Sequence, residues 1–131
     1  MSENEASKPK VVLVDDEKDF LKLMENWLRP QYEVFSFSDP EAVADRVRAL
    51  VPDVAILDVH MPAESGFALC KRLRAQPGFE TLPVVFLTGS KTDEDFVQHL
   101  ETGGSRYLTK PISRQALLDA LVEQIGPSRP A

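Results

Sequence analysis

Three apolar runs without a polar residue among them, Val11–Val14, Val54–Leu57 and Val84–Leu87, restrict this chain more than anything else in it. A strand on a one-sided sheet alternates apolar and polar residues. An unbroken run needs cover on both faces, as in a parallel sheet sandwiched between helices. These runs are therefore candidate central strands. Two weaker segments, Glu33–Phe37 and Arg106–Thr109, mix in polar residues and suit the sheet edges.

Helical patterns separate the strands. Phe20, Leu21, Met24 and Leu28 form one stripe, on which Trp27 reads as a partly buried packing residue. Val43, Val47 and Leu50 form a second, with Asp39 as N-cap and Pro40 at the first helical position. Gly66, Leu69, Cys70 and Leu73 make a third. Thr92 caps a fourth, with Asp93, Glu94 and Asp95 in its first turn, where the helix dipole favours negative charge, and Gly103-Gly104 at its end. Ser113 to Ile125 places Leu117, Leu118, Leu121, Val122 and Ile125 on one face and stops at Gly126-Pro127. Five strands alternating with five helices, joined by right-handed crossovers, predict an α/β fold: a doubly wound parallel sheet in the order 2-1-3-4-5, the flavodoxin-like arrangement. Ligands of such sheets sit beyond the carboxyl ends of the strands, near the switch point between strands one and three.

The 131 residues, 43% hydrophobic, suit one compact domain over residues 10–125, with a flexible N-terminal tail over 1–9 and a C-terminal tail or linker start over 126–131. A net charge of −6 argues against a direct nucleic-acid or anionic-membrane partner, which would call for clustered Lys and Arg. The single cysteine, Cys70, can form no internal disulfide and supports a reducing, cytoplasmic setting. No apolar stretch is long enough to span a membrane, and the opening residues lack a signal-peptide core.

The residues just past the strands carry the chemistry. Strand one ends in Asp15-Asp16, strand three in Asp58, strand four in Thr88 and strand five in Lys110. Three carboxylates in one crevice raise one another's pKa unless a cation lies among them, and an all-oxygen donor set suits Mg²⁺. A hydroxyl and an ammonium facing that site are what a phosphoryl group needs, and a central carboxylate such as Asp58 can act as nucleophile to form an acyl phosphate. Taken singly, the residues have ordinary readings. Asp15-Asp16 could cap a helix, Asp58 or Thr88 a turn, and Lys110 could be a surface lysine. His60 and His99 lack the paired ligands of a metal site.

Together, Asp15-Asp16, the run Asp58-Val59-His60-Met61-Pro62 followed by Gly66, Leu87-Thr88-Gly89 and Tyr107-Leu108-Thr109-Lys110-Pro111 resemble the receiver domain of two-component response regulators, over about Lys10 to Ile125. The resemblance implies that Asp58 accepts a phosphoryl group from the phosphohistidine of a histidine kinase or histidine phosphotransfer protein. It implies that Asp16, Asp58 and the His60 backbone carbonyl hold Mg²⁺, with Asp15 acting largely through water. Lys110 would pair with phosphoryl oxygens, its peptide to Pro111 being cis. Thr88 and Tyr107 would form a switch that alters the surface of the fourth helix, the fifth strand and the last helix. That surface would control a downstream protein partner, a fused output domain or a phosphorylation-dependent homodimer.

The chain departs from the family's usual pattern at three places. Ser105-Arg106 stands where acidic or small polar residues often precede the aromatic. Gly89 follows Thr88 where alanine is frequent, and His60 occupies a variable position that tunes acyl-phosphate lifetime.

Two other functions fit the same fold. A Mg²⁺-dependent phosphatase with an aspartyl-phosphate intermediate commonly has a second acid two residues after the nucleophile, where this chain has His60. A flavin or nucleotide carrier needs a Gly/Ser/Thr-rich phosphate loop after strand one, and Asp15-Asp16 would repel a bare phosphate. The switch reading expects a regulatory phosphoacceptor rather than an enzyme acting on other substrates.

Overall fold

The computed structural model describes residues 8–89 and 106–126. Along the chain run β1 (Lys10–Val14), α1 (Lys18–Leu28), β2 (Glu33–Phe37), α2 (Pro40–Leu50), β3 (Val54–Asp58), α3 (Gly66–Arg74), β4 (Val84–Thr88), β5 (Arg106–Thr109) and α4 (Arg114–Ile125). The five strands form one parallel sheet in the order β2-β1-β3-β4-β5. The helix expected from Thr92 to Gly103 lies outside the described residues, as do Asp93, Glu94, Asp95, His99 and Ser105.

The sheet order follows from which strands tolerate water. Every residue of β3 and β4 is buried, as are Val11–Val14 of β1, whereas β2 and β5 are mostly half-exposed. The unbroken apolar strands thus occupy the interior of the sheet, and the mixed ones blunt its edges.

Alternation along the strands divides the core in two. Val12, Val14, Ala55, Leu57, Val84 and Phe86 pack with α2 and α3 side chains, including Val43, Val47, Leu69, Cys70 and Leu73. Val11, Leu13, Val54, Ile56, Val85 and Leu87 pack with α1 and α4, through Leu21, Met24, Leu28, Leu117 and Leu121. Each such side chain contributes roughly 1.5–3 kcal/mol on burial, so the two cores dominate the stabilisation of the sheet.

Three helix starts are capped as their sequences dictate. Asp39 accepts from the Glu41 amide at 3.0 Å, Ser65 from Ala68 at 3.1 Å and Ser113 from Ala116 at 3.0 Å. Each contact satisfies an orphan helical N–H and is worth about 1 kcal/mol. At the start of α1, Glu17 makes no side-chain cap. Its amide instead donates to Asp15 Oδ1 at 2.9 Å, which ties the first helix to the end of β1. Among the described residues, no helix is long and apolar enough to cross a membrane.

Candidate functional site

The carboxyl ends of β1 and β3 meet because the two strands pair in parallel with Val14 opposite Leu57. One residue further, the same register sets Asp15 beside Asp58. Side chains two apart on a strand share a face. Asp15 therefore follows Leu13, and Asp58 follows Ile56, on the face covered by α1 and α4. Leu108 of β5 packs on that face too, and Lys110 comes two residues after it. Strand parity and the parallel register together thus bring both carboxylates and the ammonium to one crevice.

The contacts match that placement. Lys110 Nζ lies 3.3 Å from Asp15 Oδ2, 3.4 Å from Asp58 Oδ1 and 3.7 Å from Glu17 Oε1. Asp15 is fully buried and Asp58 nearly so, while Asp16 is exposed. Burial, and secondarily the charge of Asp15, pushes the Asp58 pKa up to about 6 against the pull of Lys110. Asp15 is also raised by burial, although the Glu17 amide and Lys110 oppose it. Burial works against the charge of Lys110, but Asp15 and Asp58 outweigh it and raise the lysine's pKa. The crevice concentrates negative charge that one ammonium does not balance.

The chain after Asp58 is pinned from several sides. The Val59 amide donates to the Leu87 carbonyl at 2.8 Å, and the Val59 carbonyl accepts from the Gly66 amide at 2.9 Å. Gly66 sits so close to the Asp58 backbone that a Cβ there would run into the Asp58 carbonyl oxygen. Arg72 on α3 makes paired contacts with Glu64, at 2.9 and 2.7 Å. His60, exposed, lies at the start of this anchored loop. The Lys110–Pro111 peptide is cis, and the Lys110 amide donates to the Thr88 carbonyl at 2.6 Å.

Thr88 and Tyr107 occupy the opposite side of the sheet. Thr88 is fully buried and shares the parity of Phe86, and Tyr107 pairs with Phe86 and packs on the core beneath α2 and α3. The expected hydroxyl and aromatic pair therefore lines the other face from the three charged groups.

Two neighbours of Lys110 were not legible as site residues. Glu17 has no site reading in the sequence, and Phe20 reads there only as part of an apolar helix stripe. Yet the Lys110 ammonium stands 5.1 Å from the centre of the Phe20 ring. A half-buried aromatic one turn beyond an acidic strand end is the signal that could have marked it.

The acidic group fits a divalent cation. One carboxylate oxygen from each of Asp15, Asp16 and Asp58 lies within 4.8 Å of the others, an oxygen-only donor set of the kind hard ions prefer.

Comparison with known proteins accords with this geometry. The family model for the response regulator receiver domain matches residues 11–122, and the chain belongs to that family. It is 40% identical over 105 residues to the response regulator PleD of Caulobacter vibrioides, covering 79% of this chain and 23% of that protein. The phosphate regulon transcriptional regulatory protein PhoB of Rhizobium meliloti is 32% identical over 123 residues, covering 93% of this chain and 54% of that protein. The chain thus spans only about a quarter to a half of these two relatives. Among solved structures, the chemotaxis protein CheY4 of Vibrio cholerae superposes with a TM-score of 0.86 at 28% identity, over 90% of this chain and 99% of that one.

Proposed function

We propose that this receiver domain is a phosphorylation-controlled signalling switch in which Asp58 takes a phosphoryl group from the phosphohistidine of a histidine kinase or histidine phosphotransfer protein. The observation that carries this reading is the convergence of Lys110 on Asp58 and Asp15 inside an acidic, largely buried crevice. In the transfer, an Asp58 carboxylate oxygen bonds to phosphorus while the P–N bond breaks and its electron pair returns to the imidazole nitrogen. Lys110 stands where its ammonium meets the phosphoryl oxygens as they arrive, and burial strengthens that attraction. Asp16, Asp58 and the His60 carbonyl would hold Mg²⁺, with Asp15 acting through water. When bound, the ion neutralises charge on the carboxylates and the phosphoryl oxygens.

The self-catalysed character of the reaction belongs to the same proposal: the domain supplies the nucleophile and the cation, and the donor supplies the phosphoryl group. Thr88 and Tyr107 act as the relay, and the surface of the expected fourth helix, β5 and the last helix, α4, receives the change. The output is binding, either to a separate protein, to a fused output domain or to a second copy. A cytoplasmic setting suits a kinase donor of this kind.

Intact mass after incubation with Mg²⁺ and phosphoramidate tests the proposal. A single phosphoryl adduct that disappears with EDTA and in Asp58→Asn is the expected result. Repeated turnover of many phosphomonoesters per protein would instead favour a phosphatase.

A further inference from the structure

The ring of Phe20 has no part in the chemistry described so far, yet it borders the reactive cation. The Lys110 ammonium lies over this ring at 5.1 Å, inside the distance at which a ring face attracts a cation. Phe20 does not stand alone. Trp27, two turns along α1, meets it in an edge-to-face contact with centroids 6.3 Å apart and planes at 86°. Phe20, Leu23 and Trp27 line a largely apolar groove beside Pro111 and Ile112. The ring is therefore braced by its own helix and presented to the lysine.

Lys110 also has a competing attractor. The exposed Glu17 carboxylate lies 3.7 Å from the ammonium, on the solvent side of the crevice. A metal ion held by Asp58, with Asp15 engaged through water, would weaken the pull of these carboxylates on the ammonium, and a flexible lysine would then be free to swing toward Glu17 and water. A neutral ring face does not compete for the metal. It can hold the ammonium at the crevice without taking a carboxylate from the ion.

We propose that Phe20 is a positioning residue that keeps the Lys110 ammonium over the crevice, through a cation–π contact braced by Trp27, and so limits its excursion toward Glu17. The inference rests on the reading of Lys110 as the cation that faces the phosphoryl group. Its effect is on occupancy: the fraction of time the ammonium spends beside Asp58 sets how often an arriving phosphoryl group finds it there.

The test uses the whole chain with a progressively fluorinated phenylalanine at position 20, which drains the ring face of negative charge while nearly preserving its shape. The deciding readout is the side-chain order of Lys110, from ¹³C relaxation at Cε, in the protein with Mg²⁺. It should fall stepwise with fluorination at an unchanged melting temperature. The rate of phosphoryl acceptance from phosphoramidate should fall in the same order, and Phe20→Leu should lower it about three- to tenfold. Phe20→Trp should restore the rate, and Glu17→Gln added to Phe20→Leu should recover part of it by removing the competing carboxylate. Lys110 order that does not respond to fluorination would overturn the inference, whatever the rates do. Failure of the unaltered protein to accept a phosphoryl group would strike at the proposed function instead, and the relaxation measurement would still decide the role of Phe20.

Discussion

Asp58 is held in a conflict that the rest of the crevice only partly relieves. Its carboxyl is nearly buried beside Asp15, and its pKa rises from 3.8 to about 6. A folded state that binds this proton more tightly than the unfolded chain loses stability as pH climbs from about 4 to about 6. The full cost is present at neutral pH. In EDTA at pH 7, Asp58→Asn should therefore be more stable than the unaltered protein by about 1–2 kcal/mol in urea denaturation. The gap should narrow as the pH is brought down toward 4. Gly66 makes the opposite prediction: with no room for a Cβ against the Asp58 carbonyl, Gly66→Ala should destabilise by roughly 1–3 kcal/mol and slow phosphoryl acceptance.

The secondary elements show which parts of this architecture were legible in sequence. The central strands announced themselves because both of their faces are buried, and the edges because theirs are not. Asp39-Pro40 marked a helix start through capping chemistry, which is local and so survives into the fold, and the cap at Ser113 stands at the start of the last apolar helix stripe. The site residues were legible as strand-end positions, but their division between the two faces of the sheet was not, since that depends on register across neighbouring strands. Phe20 was hidden for a related reason. It adjoins Leu21 on the helix, and the sequence does not say which of the two turns into the core and which stops at the crevice. One element carries a local conflict that the sequence did not reveal. α2 ends on Val51 in the left-handed region, at φ 50°, a conformation that β-branched side chains resist. Val51 is exposed, so Val51→Gly removes little packing and should stabilise the protein by about 1 kcal/mol, seen as a rise of a few degrees in melting temperature.

The assembled domain joins two cores through one sheet, with the charged crevice at its carboxyl edge and Thr88 and Tyr107 on the face away from Lys110. This arrangement suits the proposed switch, because Asp58 on β3 and the pair Thr88 and Tyr107 on β4 and β5 stand on neighbouring strands, separated by the thickness of the sheet. Metal binding at the acidic group would also be linked to stability. An ion that binds the folded crevice and not the unfolded chain stabilises by about 1.4 kcal/mol when present at tenfold over its dissociation constant. Mg²⁺ should accordingly raise the melting temperature at pH 7, and Asp16→Asn should blunt that rise while leaving the metal-free midpoint nearly unchanged. The most direct test of the whole reading is to locate the phosphoryl group. After incubation with phosphoramidate and Mg²⁺, borohydride reduction converts an aspartyl phosphate to homoserine, which peptide mass spectrometry places along the chain. Homoserine at position 58 and no other acidic position is the predicted result. Homoserine at Asp15 or Asp16, or a phosphoryl adduct that resists reduction, would contradict it.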